Sequence, residues 1–418
     1  MFKFILAIVL SFAGMFTNCN IKSQSLSKYS GYVEHLFIHS LIAYPEILQQ
    51  KNNATQKLYE RDCLTYTQFE DILQRLYKNG YCLVDINKTF TLDKNGNAIK
   101  THFNFPKGKK PFVLGVDDVV YDPRKSGNGM VDKIIVDKNG KIAAETNING
   151  KISISYSREF VSILENFIAL HPDFSFESAR ATINLTGFCG ILGYRTSHNN
   201  KEIREKEIEK AKPVVAKLKQ LGYNFACHSY GHYHTKKVSI EYIKHDLADW
   251  STYVEPLIGK TNIFVYPYGE WELVCDNKVS AKQQLLFDYG FKLFCGVGIY
   301  PFFSYLPQNS SIKQKFLFWD RKPLDGYTIK NRQKELSHLL RWNINIYLCH
   351  LTKIMRFNYC QFYSIFLNHF YVMCLVIFKH IATDKIIFQW IALLFVLKQI
   401  LKTKLSSPCL ICLWILAF

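Results

Sequence analysis

Residues 111–116, Pro-Phe-Val-Leu-Gly-Val, form the most strand-like stretch of this 418-residue chain, and they end on two adjacent carboxylates, Asp117 and Asp118. A short apolar run bounded by polar residues reads as a buried strand. Similar runs stand at 82–86, 181–185, 224–227 and 262–266, with a turn at 93–96. Helical patterns lie between them. Residues 65–78 carry Phe69, Ile72, Leu73 and Leu76 at helical spacing, and Asn79-Gly80 closes them as a C-cap. Residues 158–170 and 202–221 read as further helices, the second kinked at Pro213 and capped by Gly222. Strands alternating with helices predict an α/β layout with a mainly parallel sheet. Residues 122–157, with turns at 137–140 and 147–151, predict a hairpin insertion.

In α/β folds, and above all in barrels, chemistry gathers at the C-terminal ends of strands. Polar clusters fall at three such ends here. At Asp117-Asp118 one carboxylate can ligate a cation while its neighbour handles a proton, although a pair of acids is more often a turn or a helix cap. In His228-Ser229-Tyr230-Gly231-His232 the two histidines stand four apart, a spacing that places both on one face of a helical turn within reach of one metal ion. Read alone they are a surface or capping pair. His234 adds density, and Cys227, as the last strand residue, is expected to face the core. Tyr266-Pro267-Tyr268-Gly269-Glu270 is a rigid turn able to present a backbone N–H to a developing oxyanion, or simply an ordinary turn.

Taken together and in this order, the clusters resemble the polysaccharide deacetylase family, defined by the nodulation-protein-B homology domain. Gly115-Val116-Asp117-Asp118-Val119 is similar to the family's Thr-Phe-Asp-Asp-Gly, His228–His232 matches its His-Ser/Thr-x-x-His, and Val265-Tyr266-Pro267-Tyr268 partly matches its Arg-x-Pro-Tyr. The residues 35–45 and Asp320-Arg321…Asp325-Gly326-Tyr327 also resemble Gram-positive members, so the likeness spans roughly residues 32–340. The resemblance implies a distorted (β/α) barrel and a divalent metal, usually zinc, held by Asp118, His228 and His232. It implies Asp117 as the base that deprotonates the attacking water, the Tyr268 backbone N–H as an oxyanion donor, and an N-acetylated polysaccharide as substrate. The family's Leu-x-His general acid has its letters in Leu336-Ser337-His338, although 332–340 reads as a helix. Two departures stand out: Val265 occupies the place of the arginine that steadies the base, and no glycine follows Asp118. The resemblance leaves a rival reading, a carbohydrate-binding protein that keeps the fold without turnover. The same site would also serve hydrolysis of another amide or of an O-acetyl ester. A HExxH helix and a multi-acid two-metal cluster are both missing, which disfavours peptide and nucleic-acid hydrolysis.

The formal net charge of +18 admits nucleic acid, anionic lipid or an acidic wall polymer as partners. Without an arginine-rich stripe, a phosphate loop or zinc-finger spacing, nucleic acid is not expected. Residues 1–20, with Lys3, an apolar core and a polar exit, read as a secretory signal or N-terminal anchor, and so predict an exported or cell-surface protein. Cys19 lacks the small residues that precede a lipidated cysteine, and the spacing of the twelve cysteines predicts no disulfide framework. Residues 21–110 are expected to form an N-terminal segment of the catalytic domain and 111–340 its body. From 341 to 418 the chain has one acid, Asp384, no glycine and long apolar runs. That tail reads as a membrane hairpin flanked by Lys398, Lys402 and Lys404, or as a non-native reading frame.

Overall fold

The computed structural model describes residues 25–275, 278–298, 303–305 and 316–340. The expected signal or anchor at 1–20 and the apolar tail at 341–418 lie outside the described residues. Among the described residues no helix is long and apolar enough to cross a membrane.

The core is a curled parallel sheet built from β1 (Glu34–His39), β2 (Lys110–Asp117), β3 (Thr182–Leu185), β4 (Asn224–Cys227), β5 (Ile263–Val265), β6 (Leu293–Cys295), β7 (Phe316–Phe318) and β8 (Lys322–Pro323). In space the order is β7-β6-β5-β4-β3-β2-β1-β8. From Pro111 to Asp117 strand β2 is buried at every position, as a strand covered on both faces must be. Its N-terminal end also pairs with Tyr81–Leu83. The predicted strand at 82–86 thus stops at Leu83, because Asp85 accepts the Asn87 N–H and turns the chain into a 3-10 helix at Ile86–Lys88.

One segment closes the sheet. β7 pairs with β6, and only a few residues later β8 pairs with β1, the strand at the other end. Between them Arg321 bridges to Val297. The result is a distorted (β/α) barrel in which residues 316–323 join the two ends of the sheet.

Helices cross between the strands, as parallel connections require. Helix α1 (Tyr66–Lys78) begins in a capping box between Thr65 and Gln68 and buries Phe69, Ile72, Leu73 and Leu76. Helix α2 spans Phe160–Leu170. Helix α3 (Lys201–Leu221) ends on Gly222, whose φ of 102° needs a residue without Cβ. It runs through Pro213 as a single helix; the proline is exposed, so water can satisfy the carbonyl it frees. Helices α4 (Ile240–Tyr253), α5 (Ala281–Tyr289) and α6 (Gln333–Leu340) complete the set used below. The predicted hairpin insertion is an antiparallel sheet of Lys133–Val136, Ile142–Ile148 and Lys151–Ser155. Its two turns rest on Gly140 and on Asn149-Gly150, all at positive φ.

Glu159 ties α2 to the segment after β1. Its Oε1 accepts the Phe160 and Leu41 N–H groups, while Oε2 is buried without a hydrogen-bond partner among the described residues. Burial pushes its carboxyl up to about 8 from 4.5, against those two donors. The folded chain therefore holds a proton that the unfolded chain releases above 4.5. Stability is fully present below that value and is lost as pH rises to about 8, by up to ~1.4 kcal/mol per pH unit. Glu159→Gln, which keeps the acceptor oxygen and cannot ionise, should flatten this slope. Denaturant midpoints measured from pH 5 to 8 check it, and parallel slopes for the two proteins would contradict the assignment.

Candidate metal centre

Strand register sets the row on which the site is built. His39 of β1 pairs with Asp117 of β2, and Asp117 pairs with Asn184 of β3. One strand further, Leu185 pairs with Cys227, and the His228 N–H donates to the Leu185 carbonyl. Four adjacent strand ends thus present His39, Asp117, Asn184 and His228 together. After β2 the chain reverses at Asp118, which sits at φ 58°.

The histidine segment is not the helical turn that its spacing predicts. Residues 228–232 form an irregular loop, with Ser229 at φ 55° and His232 at φ 51°. Asp246 on α4 holds this loop in place: its carboxylate accepts the Tyr230 N–H at 2.9 Å and the Gly231 N–H at 2.6 Å. Cys227 is fully buried with its thiol held well above the ordinary range by burial, so it faces the core as expected.

Asp118, His228 and His232 bring one ligand atom each to within 4.8 Å of one another. Asp118 Oδ1 lies 3.5 Å from His232 Nε2 and 4.0 Å from His228 Nε2. Metal–ligand bonds of about 2.0–2.1 Å in a tetrahedral arrangement put ligand atoms about 3.3 Å apart, so the three groups would close on a divalent ion by drawing in from these separations. His228 Nδ1 is 2.8 Å from the Val265 carbonyl. Donation to that oxygen leaves Nε2 with its lone pair toward the site. Burial lowers His232 to about 4, overriding the pull of Asp118, so its imidazole is neutral at pH 7, the form that ligates metals.

Asp117 stands beside this triad, its Oδ2 3.7 Å from His228 Nε2. Val265 does not leave it unsupported. Arg321 donates from Nη1 to Oδ1 at 2.7 Å and from Nη2 to Oδ2 at 3.0 Å, and Asn184 Nδ2 donates to Oδ1 at 2.6 Å. Burial alone would raise the carboxyl. Arg321, with His228, overcomes it and holds Asp117 well below the usual carboxylate range. Asp118 is lowered in the same way, burial being opposed by His232 and His228. The guanidinium of Arg321 also lies 4.1 Å from the centre of the Phe37 ring. Gly115 makes room for the cluster, since a Cβ there would stand 2.9 Å from Asn184 Nδ2.

Tyr268 is brought to the rim. It sits at φ 59° and is 56% exposed; its ring stacks on His234 at 3.7 Å and lies 4.6 Å from the His232 ring. His234 Nδ1 is in turn 3.1 Å from Glu270 Oε1. His338 is not brought to the site. It lies on α6, as the helical reading of that stretch suggested, with Nε2 3.0 Å from Oε1 of Glu34. Glu34 opens β1 and His39 closes it, about 17 Å further along at strand rise. The histidine at the site is His39, whose Nδ1 is buried with no hydrogen-bond partner among the described residues. Neither His39 nor Arg321 was assigned a role from sequence, although both fall in stretches that resemble family members.

Size does not pick out this site. A cavity of about 870 Å³ at the opposite ends of β4 and β5, around Asn224 and Ile263, holds no histidine. A cleft of about 470 Å³ opens at His232 and Tyr268.

Residues 196–286, which contain both histidines and Tyr268, match the family model described as polysaccharide deacetylase. The chain carries a polysaccharide deacetylase family domain. No curated protein matches it. Similar solved structures include the Streptococcus pyogenes deacetylase PplD in complex with acetate, at 15% identity and a TM-score of 0.39, covering 72% of this chain and 94% of that one. Another is IcaB from Ammonifex degensii, at 12% identity and a TM-score of 0.38, covering 72% of this chain and 95% of that one.

Proposed function

We propose that this protein is a metal-dependent hydrolase that removes N-acetyl groups from an extracellular polysaccharide, such as peptidoglycan or another N-acetylglucosamine polymer. The observation that carries the reading is the convergence of Asp118, His228 and His232 beside a buried, arginine-held carboxylate, Asp117. A family model for deacetylases overlapping the histidines supports it, and the apolar N-terminus at 1–20 is consistent with export.

Asp118, His228 and His232 would hold the ion, with zinc favoured by two imidazoles and one carboxylate. When bound, it supplies a Lewis acid that acidifies water and polarises the acetamide carbonyl. Asp117 takes the proton of the attacking water. Arg321 and Asn184 fix that carboxylate's orientation at the cost of proton affinity, so Asp117 passes the proton on readily. His39, one strand away in register, gives a proton to the departing amine. The Tyr268 N–H donates to the carbonyl oxygen as negative charge develops there. Acetate and a free amino sugar leave.

The test is zinc content and acetate release from N-acetylglucosamine oligomers for the wild-type chain beside His228→Ala. Stoichiometric metal and acetate in the wild type, with both lost in the variant, is the expected result. A wild-type protein without stoichiometric metal sinks the proposal. Metal bound with no acetate from any oligomer would favour a carbohydrate-binding role.

A further inference from the structure

We infer that the cleft running from His232 along α4 is a subsite for a pyranose unit adjoining the one that loses its acetyl group. The choice of sugar polymer as ligand rests on the proposed function; the site itself rests on its geometry.

The cleft, about 470 Å³, is within the size range of small-ligand pockets, and it begins at a metal-ligand candidate, His232. Its walls are aromatic: Phe188, Tyr230, Tyr242 and Tyr268 all line it. Tyr242 and Tyr268 are 46% and 56% exposed, large rings left to water on the rim of a single cleft. Tyr242 is also fixed next to the site. Its ring meets Tyr233 edge-on at 5.7 Å, and a Cβ added to Gly231 would stand 3.0 Å from its hydroxyl. Gly231, the residue before His232, therefore gives Tyr242 the space to reach over the ligand loop.

The polar groups are few and mixed in sign. Asp246 lies in the floor, but its carboxylate is spent on the Tyr230 and Gly231 N–H groups. Arg124, paired with Asp122, lies over the Phe188 ring. His245 and Asp249, on α4, remain to meet a ligand. No single charge dominates, so the lining suits a neutral unit with an apolar ring face for the tyrosines and hydroxyls for the polar edge. A pyranose has both.

The experiment compares the full-length zinc-loaded protein with Tyr242→Ala and Tyr242→Phe. The substrates are the N-acetylglucosamine tetramer, which reaches the subsite, and 4-nitrophenyl acetate, which does not. Loss of one ring face should lower kcat/KM for the tetramer about five- to ten-fold relative to the ester, mainly through KM, and Tyr242→Phe should restore it. Equal effects on both substrates, or none on either, would overturn the subsite. If the wild type releases no acetate, the deacetylase reading fails separately. The subsite is then judged by calorimetric titration of the tetramer: weaker binding by Tyr242→Ala upholds it, and equal binding or none to the wild type overturns it.

Discussion

Arg321→Met is expected to cost about 3–5 kcal/mol of stability, the penalty for stranding one partner of a buried pair, and to abolish most turnover. Arg321 and Asp117 are both almost fully buried, and the pair is joined through two parallel N–H donors. Methionine fills similar volume without charge. Burial would then act on Asp117 against His228 and the Asn184 donor but without Arg321, the first of the groups that counter it. The carboxyl would rise, and the acid limb of the pH–rate profile would move to higher pH. Arg321→Lys keeps the charge but loses the fork, and should fall between the two. Denaturant midpoints and pH–rate profiles measure both effects. A variant with wild-type stability and an unmoved acid limb would show that Arg321 does not set Asp117.

His39→Gln is expected to lower acetate release from the N-acetylglucosamine tetramer by about 10²- to 10⁴-fold while leaving zinc stoichiometry intact. An amine must be protonated as it leaves. A 4-nitrophenolate leaves without help, so hydrolysis of 4-nitrophenyl acetate should fall far less. His338→Gln is the control. It breaks the contact with Glu34 at the far end of β1 and should reduce stability more than turnover. If His338→Gln produces the amide-specific loss and His39→Gln does not, the assignment is reversed.

The strand ends were legible because each announces itself locally: an apolar run, then Asp117-Asp118, His228 or Pro267-Tyr268. Arg321 was not, because its partner is 204 residues away and the contact exists only once residues 316–323 bridge β6 to β1. No periodicity encodes that closure. His39 was hidden for a related reason. A histidine ending an apolar run reads as core until register places it opposite Asp117. The histidine loop was found by spacing but misread in shape, since Ser229 and His232 take positive φ and the carboxylate that holds the loop, Asp246, lies on the next helix.

The closing segment also imposes a timetable on synthesis. Asp118, His228 and His232 have all left the ribosome while Arg321 is still to be made. At about 5–20 residues per second, Arg321 follows Asp117 by about 10–40 s. During that interval a nascent chain can gather its metal ligands, but the carboxylate beside them lacks the guanidinium that later holds it. Full burial of the Asp117 carboxylate beside its guanidinium must wait, and the barrel seals only when residues 316–323 arrive.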